Sequence, residues 1–174
     1  MWDEKATRSE IEASGANLVV CHHSNDHQYY SQLYARDVSK RFVHIPHSAD
    51  TSLFYDTDTE RDIDILLVGR PTGEHYPLRE RLHHLIDRHS AGRLRQYRIH
   101  TLDHPGYTHD DAFTNRYQKE FAALLRRSKL VCTCASKHKY RLGKYIEIPM
   151  SGAVICADLP EGDEHSLDQF IAVI

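Results

Sequence analysis

Residues 61–86 read RDIDILLVGRPTGEHYPLRERLHHLI. Five of the six residues in 63–68 are apolar. A run that short and that apolar predicts a strand buried on both faces, the kind that sits inside a parallel sheet rather than on a solvated one. Glycine follows at once, and the loop GRPTG hands the chain to a segment in which Tyr76, Leu78, Leu82, Leu85 and Ile86 share one helical stripe. Pro77 suits the first turn of that helix, because its missing N–H is one the helix would leave unbonded anyway. Strand, glycine loop and amphipathic helix together open a β-α-β unit.

The same alternation extends to both sides. Short β-branched runs at 16–21, 41–45, 97–102, 129–133 and 153–157 join 63–68 as predicted strands. Tyr117, Phe121, Leu124 and Leu125 repeat the helical stripe, Arg126 and Arg127 complement the dipole at its end, and Ser128 leads into the strand LVCTC. Strands alternating with amphipathic helices predict an α/β fold, a Rossmann-like doubly wound parallel sheet. Residues 46–61, PHSADTSLFYDTDTER, carry no sustained period and are rich in Ser, Asp and Thr, so they read as a linker. On that division 1–45 is the C-terminal part of a truncated first domain, and 62–174 supplies most of a second. The ending SLDQFIAVI reads as a helix cut short, so the chain is expected to be a piece of a larger α/β protein.

Composition bounds the function. The chain has 174 residues, 40% hydrophobic and 27% charged, which fits an ordinary globular body. A formal charge of -3 and a pI near 6.5 provide no general basic field, which argues against nucleic-acid binding and requires any anionic ligand to be held by a local cluster of donors. No apolar run approaches the roughly 20 residues that span a bilayer, and the charged start MWDEKATRSE is unlike a signal peptide, so a cytoplasmic location is expected. Cys21, Cys132, Cys134 and Cys156 read as reduced packing residues, because Cys132 and Cys134 are spaced too closely for the usual zinc pair. The Asp56/Asp58 and Asp62/Asp64 pairs have a metal-like Asp-x-Asp spacing, but one lies in the linker and the other opens a strand. No metal and no cofactor is expected.

Candidate ligand groups gather where open α/β sheets bind ligands, outside the carboxyl ends of the strands. Gly69 permits close backbone approach there, and Arg70 offers a planar donor suited to phosphate oxygens, although the same residues would also make a plain strand-to-helix turn. A denser cluster is SKHKYRLGKYIE at 136–147, in which Lys137, Lys139, Arg141 and Lys144 flank Tyr140 near a helix start. Such cations can neutralise a diphosphate, or can form a solvated basic face. His22 and His23 follow the strand at 16–21, and His47 follows the strand at 41–45, so all three are candidates to line a cleft, with scattered surface histidines as the alternative.

Taken together, RFVHIPHSADTSLF, RDIDILLVG, YQKEFAALLRRSKLVCTCAS and GKYIEIPMSGAVICADLPE resemble the glycosyltransferase group 1 superfamily, nearest to the C-terminal domain of its spore-maturation-protein type. That resemblance implies a GT-B architecture, two Rossmann-like domains in which the second binds a nucleoside diphosphate sugar donor and the first serves an acceptor of unknown identity. It also implies that Glu147 holds the ribose hydroxyls, and a carboxylate is apt for two hydroxyl donors. Relatives carry a further glutamate where this chain has Lys139, so no catalytic residue is assigned; acceptor groups and cleft closure are expected from residues outside the 174, so these alone are expected to be inactive in transfer. The alternative is a noncatalytic α/β module that binds a nucleotide or a protein partner.

Overall fold

The computed structural model describes residues 3–106, 110–162 and 169–174. Its contacts divide the chain into unit 1, Met1–His47, and unit 2, Ser48–Ile174.

Unit 1 begins with α1 (Glu4–Ala13), whose start is fixed by the Asp3 side chain accepting from the Ala6 amide at 2.9 Å. Strand β1 (Leu18–Cys21) and strand β2 (Arg41–His44) pair in parallel from Leu18↔Arg41 to Cys21↔His44, with α2 (Ser24–Leu33) as the crossover between them. Tyr30 of α2 is buried and stacks on Phe42 of β2 at 5.9 Å, while Ile11 and Cys21 complete a small core.

Unit 2 contains β3 (Ile63–Val68), α3 (Pro77–His89), β4 (Ile99–Leu102), α4 (Asp111–Arg127), β5 (Ser128–Cys132), α5 (Lys144–Met150), β6 (Val154–Ala157) and β7 (Ile171–Val173). The strands form one sheet in the order β4-β3-β5-β6-β7, and every neighbouring pair is parallel. Alternation along β3 explains the two covered faces. Leu66 and Val68 enter the main core with Phe121 and Leu125 of α4 and Ile148 of α5, while Leu67 points the other way, to Cys132, Cys156, and Leu82 and Ile86 of α3. The chain therefore has the α/β, Rossmann-like parallel sheet expected from the spacing of its apolar runs. Each such buried side chain stabilises the fold by about 1.5–3 kcal/mol, so Leu66 and Leu125, both fully buried, anchor the layer that carries the loops described below.

The helices end where their residues dictate. Pro77 opens α3, Asp110 caps α4 by accepting from the Phe113 amide at 3.0 Å, and Arg126 and Arg127 close α4. The strands at 16–21 and 97–102 are shorter than expected, beginning at Leu18 and Ile99; before the second, Tyr97 lies in a turn closed by its own amide on the Leu94 carbonyl. A larger difference is at the C-terminus. Residues 166–168 of the expected helix lie outside the described residues, and Ile171–Val173 forms strand β7 rather than a helix. Its β-branched residues take the free edge of β6 in register Ile155↔Ile171 to Ala157↔Val173, and Ile171 is buried there.

Residues 48–61 carry no helix or strand, yet they pack on unit 2. Phe54 is buried edge-to-face against Phe121 at 5.8 Å, and Arg126 donates to the Leu53 carbonyl at 2.7 Å. The Arg61 guanidinium donates to the carbonyls of Leu125, Arg126, Ser128 and Ser151 and pairs with Asp56, which satisfies the carbonyls that the end of α4 leaves free. Among the described residues, no helix is long and apolar enough to cross a membrane.

Candidate functional site

The carboxyl ends of β3, β4, β5 and β6 open onto four loops, and unit 2 gathers its buried charge there. Gly69 ends β3 with φ +96°, a conformation that side chains rarely adopt, and its amide donates to the Leu102 carbonyl at 2.8 Å, tying the β3 and β4 loops together. A side chain at Gly69 would also collide with the Arg79 guanidinium, whose Nη1 lies 2.6 Å from the ideal Cβ position. Gly69 is thus required twice, by its backbone and by the arginine behind it.

A cavity of about 260 Å³ lies beside this junction. Phe54, Phe121 and Tyr117 give it an apolar wall, and His104, Lys144 and Glu147 give it a polar one. Arg70 reaches toward it across the β4 loop, with Nη2 4.0 Å from the ideal Cβ position of Gly106. A larger depression of about 590 Å³ lies at the opposite, amino-terminal end of the sheet, lined by residues of 56–61 with Lys129 and Gly152. It is the weaker candidate, because Asp56 there is already paired with Arg61 and parallel sheets bind ligands at their carboxyl ends. The neighbouring carboxylates are paired too: Asp62 holds Arg127 at 2.6 Å and Asp64 holds Lys129 at 2.7 Å, pulling both acids down to about 2.

Glu147 is the group with most capacity left over. It lies half-buried in α5, with Oε1 3.2 Å from the ideal Cβ position of Gly143, so the carboxylate packs closely over that glycine. Among the described residues its carboxylate has neither a hydrogen bond nor an ion pair, and burial raises its pKa against the opposing pull of Lys144. A carboxylate left with open acceptor positions beside a cavity is equipped to receive hydroxyl donors. Lys144, one turn earlier, has its ammonium 5.6 Å from the centre of the Phe121 ring, and burial lowers its pKa more than Glu147 raises it.

The aromatic and imidazole groups complete the picture. Tyr117 stacks on Phe121 at 6.2 Å and meets His104 at 5.7 Å. Among the described residues its buried hydroxyl has no partner, and its pKa is pushed up to about 12, by burial first and the charge of Glu147 second. His104 is held toward its neutral form by burial and then by Lys144, Arg79 and Arg70. Those contributions place three cations within electrostatic reach of one imidazole.

The rest of the basic segment is occupied elsewhere. Lys139, in a left-handed conformation with φ +55°, pairs with Asp158 at 2.8 Å, and Asp158 also accepts from the Ala135 amide at 2.8 Å. Lys137 lies 3.8 Å from Glu74. Tyr140 is buried, its ring 5.4 Å from that of His138, and Arg141 is half-buried. Of the residues singled out in the sequence, the structure therefore sets Lys144 and Glu147 in the cavity wall, Arg70 near its Gly106 edge and Gly69 at the neighbouring end of β3, and turns Lys139 toward the β6 loop. His22, His23 and His47 belong to unit 1, where they form a cluster of their own. His22 Nδ1 lies 2.9 Å from the Ile45 carbonyl oxygen, its ring stacks on His47 at 4.8 Å, and His23 meets His47 at 5.2 Å. Burial, followed by the charges of His47, His22 and His44, lowers the pKa of His23 to about 4.

Arg79 is the principal residue of this site that sequence reasoning does not single out. It is 3% exposed, its Nη1 donates to the Arg70 carbonyl at 3.2 Å, and its guanidinium lies 4.1 Å from the centre of the Tyr76 ring. The signal is present in the helical pattern: Arg79 stands three residues after Tyr76 and three before Leu82, inside the apolar stripe of α3.

No family model matches the chain, and no curated protein matches it. Among solved structures it is similar to the pneumococcal O-GlcNAc transferase GtfA in complex with UDP and GlcNAc, with a TM-score of 0.57 and 13% identity over 94% of this chain and 34% of that one. It is also similar to sucrose-phosphate synthase from Thermosynechococcus elongatus, with a TM-score of 0.57 and 14% identity over 100% of this chain and 51% of that one. These likenesses show that the chain shares the Rossmann-like α/β fold of those two proteins, and it spans between a third and about half of their length.

Proposed function

We propose that unit 2 binds a nucleoside diphosphate sugar and belongs to a glycosyltransferase that passes the sugar to an acceptor. The observation that carries this reading is the half-buried Glu147 carboxylate, open to hydroxyl donors beside a cavity that Lys144 also lines and Arg70 approaches. In this reading the ribose hydroxyls meet Glu147, the diphosphate lies against Gly69, Arg70 and Lys144, and the nucleobase uses the apolar wall of Phe54, Tyr117 and Phe121. Charge-assisted contacts of this type are the stronger class of hydrogen bond, which suits a ligand carrying two phosphates. Support also comes from the fold shared with two glycosyltransferases and from the resemblance of 42–161 to the spore-maturation type of that superfamily. Lys139, paired with Asp158, is assigned to holding the β5 and β6 loops together rather than to the sugar.

Isothermal calorimetry of the chain with matched nucleoside mono- and diphosphates tests the reading. Binding of the diphosphate is expected to be at least roughly tenfold tighter, since one added charge-assisted contact contributes about 1.5–3 kcal/mol. Equal affinities, or no binding of either, would remove the diphosphate assignment.

A further inference from the structure

Arg79 is an energetic anomaly. A guanidinium carries five N–H donors and one full charge. This one is 97% removed from water by its 3% exposure, yet it has one hydrogen-bond acceptor, the Arg70 carbonyl, and no carboxylate within ion-pair distance among the described residues. Its buried Nε has no partner among the described residues. The Tyr76 ring face offers partial compensation, since a cation–π contact returns less than burying an ion costs.

The surroundings make matters worse for a cation. Arg79 lies in the first turn of the 13-residue α3, where the helix dipole presents positive potential, and Tyr76 at the N-cap supplies no side-chain capping bond. Lys144 and Arg70 are the cations that act together with Arg79 on His104, and Arg79 acts on Lys144 and His104 in the same sense as a like charge does. Three positive groups thus act on the one imidazole of His104, with Arg79 against Gly69 at the start of α3 and Glu147 as the carboxylate lining the adjoining cavity.

We propose that Arg79 is an unmatched buried charge retained for an anionic ligand, specifically a diphosphate group seated at the Gly69 turn, and that the ligand-free protein is less stable for keeping it. The inference rests on the proposed nucleotide reading and adds to it a residue and an energetic consequence. Arg79 acts in two ways. It fixes the Gly69–Arg70 backbone through the Arg70 carbonyl, and it supplies a field that becomes favourable only when the anion arrives. A purely structural arginine would stabilise the empty protein, whereas this one destabilises it, and the two roles predict opposite signs for one substitution.

The test compares the wild-type chain with Arg79→Met and Arg79→Lys by thermal unfolding and by calorimetry with inorganic pyrophosphate and a nucleoside diphosphate. Arg79→Met fills much the same volume without charge. It is expected to raise the melting temperature of the ligand-free chain and to weaken pyrophosphate binding by roughly 10- to 100-fold, the loss of one buried positive charge behind the anion. Arg79→Lys keeps the charge and loses the planar fork, so it should retain part of the affinity without the gain in stability. A lower melting temperature for Arg79→Met with unchanged pyrophosphate affinity would overturn the inference and make Arg79 structural. Nucleoside diphosphate binding that is equal in wild type and Arg79→Met would overturn it while leaving the proposed function standing. Failure of the wild type to bind either ligand would remove both.

Discussion

Replacing Glu147 by Gln keeps the shape of the side chain and removes its charge, so it separates a ligand-binding carboxylate from a structural one. Among the described residues the carboxylate has neither a hydrogen bond nor an ion pair, and burial raises its pKa above the usual 4.5. A raised pKa means that the folded state binds the proton more tightly than the unfolded state, so Glu147 favours folding at low pH and works against it as pH rises through 4.5 and above. Glu147→Gln should therefore be at least as stable as the wild type at neutral pH, with the advantage narrowing in acid. Binding should move the other way. A carboxylate accepting from both ribose hydroxyls loses one charge-assisted bond on conversion to the amide, and about 1.4 kcal/mol corresponds to a tenfold weaker complex. Titration with a ribonucleoside diphosphate and its 2′-deoxy form provides the assay: the wild type should prefer the ribose form, and the variant should lose most of that preference. An intact preference in the variant, with a fall in melting temperature, would refute the reasoning and return Glu147 to helix packing.

Three further outcomes follow from the packing and the charges. Phe54→Ala removes a buried ring that both pins residues 48–61 to α4 and walls the cavity, so urea unfolding should show a loss of about 3–5 kcal/mol, whereas a loss under 1 kcal/mol would mean that the segment is not held there. Asp62 and Asp64 are held down to about 2 by Arg127 and Lys129, so they stabilise the fold above their ordinary 3.8 and lose that contribution as pH falls toward 2; Asp62→Asn with Asp64→Asn should flatten the acid limb of the stability profile, and an unchanged limb would contradict the pairing. His23, lowered to about 4 from 6.5, stays neutral in the folded protein, so unit 1 is fully stable above 6.5 and weakens as pH falls from 6.5 toward 4; His23→Gln should remove that slope in hydrogen exchange of β1 and β2, and an unaltered slope would assign it elsewhere.

The parallel sheet was legible because its strands are buried on both faces. IDILLV at 63–68 has the strand ends the apolar run suggests, and the Tyr117, Phe121, Leu124 and Leu125 stripe locates α4 without any tertiary information. The C-terminal strand was not legible, since Ile171–Val173 is too short to show a period and is held by its pairing with β6. Composition also hides the packing of 48–61, where Phe54 and Arg61 act through contacts with residues far along the chain. At the site, sequence shows charge but not its partners. Lys137 and Lys139 stand beside Lys144 in the chain, yet Glu74 and Asp158 draw them aside, and only the folded loops reveal it. Arg79 is missed for the converse reason: an arginine in a helix reads as solvated, and nothing local says that Gly69 will lie over it.

A backbone-amide NMR titration of the chain with a ribonucleoside diphosphate tests the central claim most directly, because it reports which end of the sheet receives the ligand. The expected result is saturable shifts concentrated at Gly69, Arg70, Gly106, Lys144 and Glu147, around the cavity at the carboxyl ends of β3 and β4. Shifts confined to residues 56–61, Lys129 and Gly152 at the opposite end, or none at saturating ligand, would contradict it.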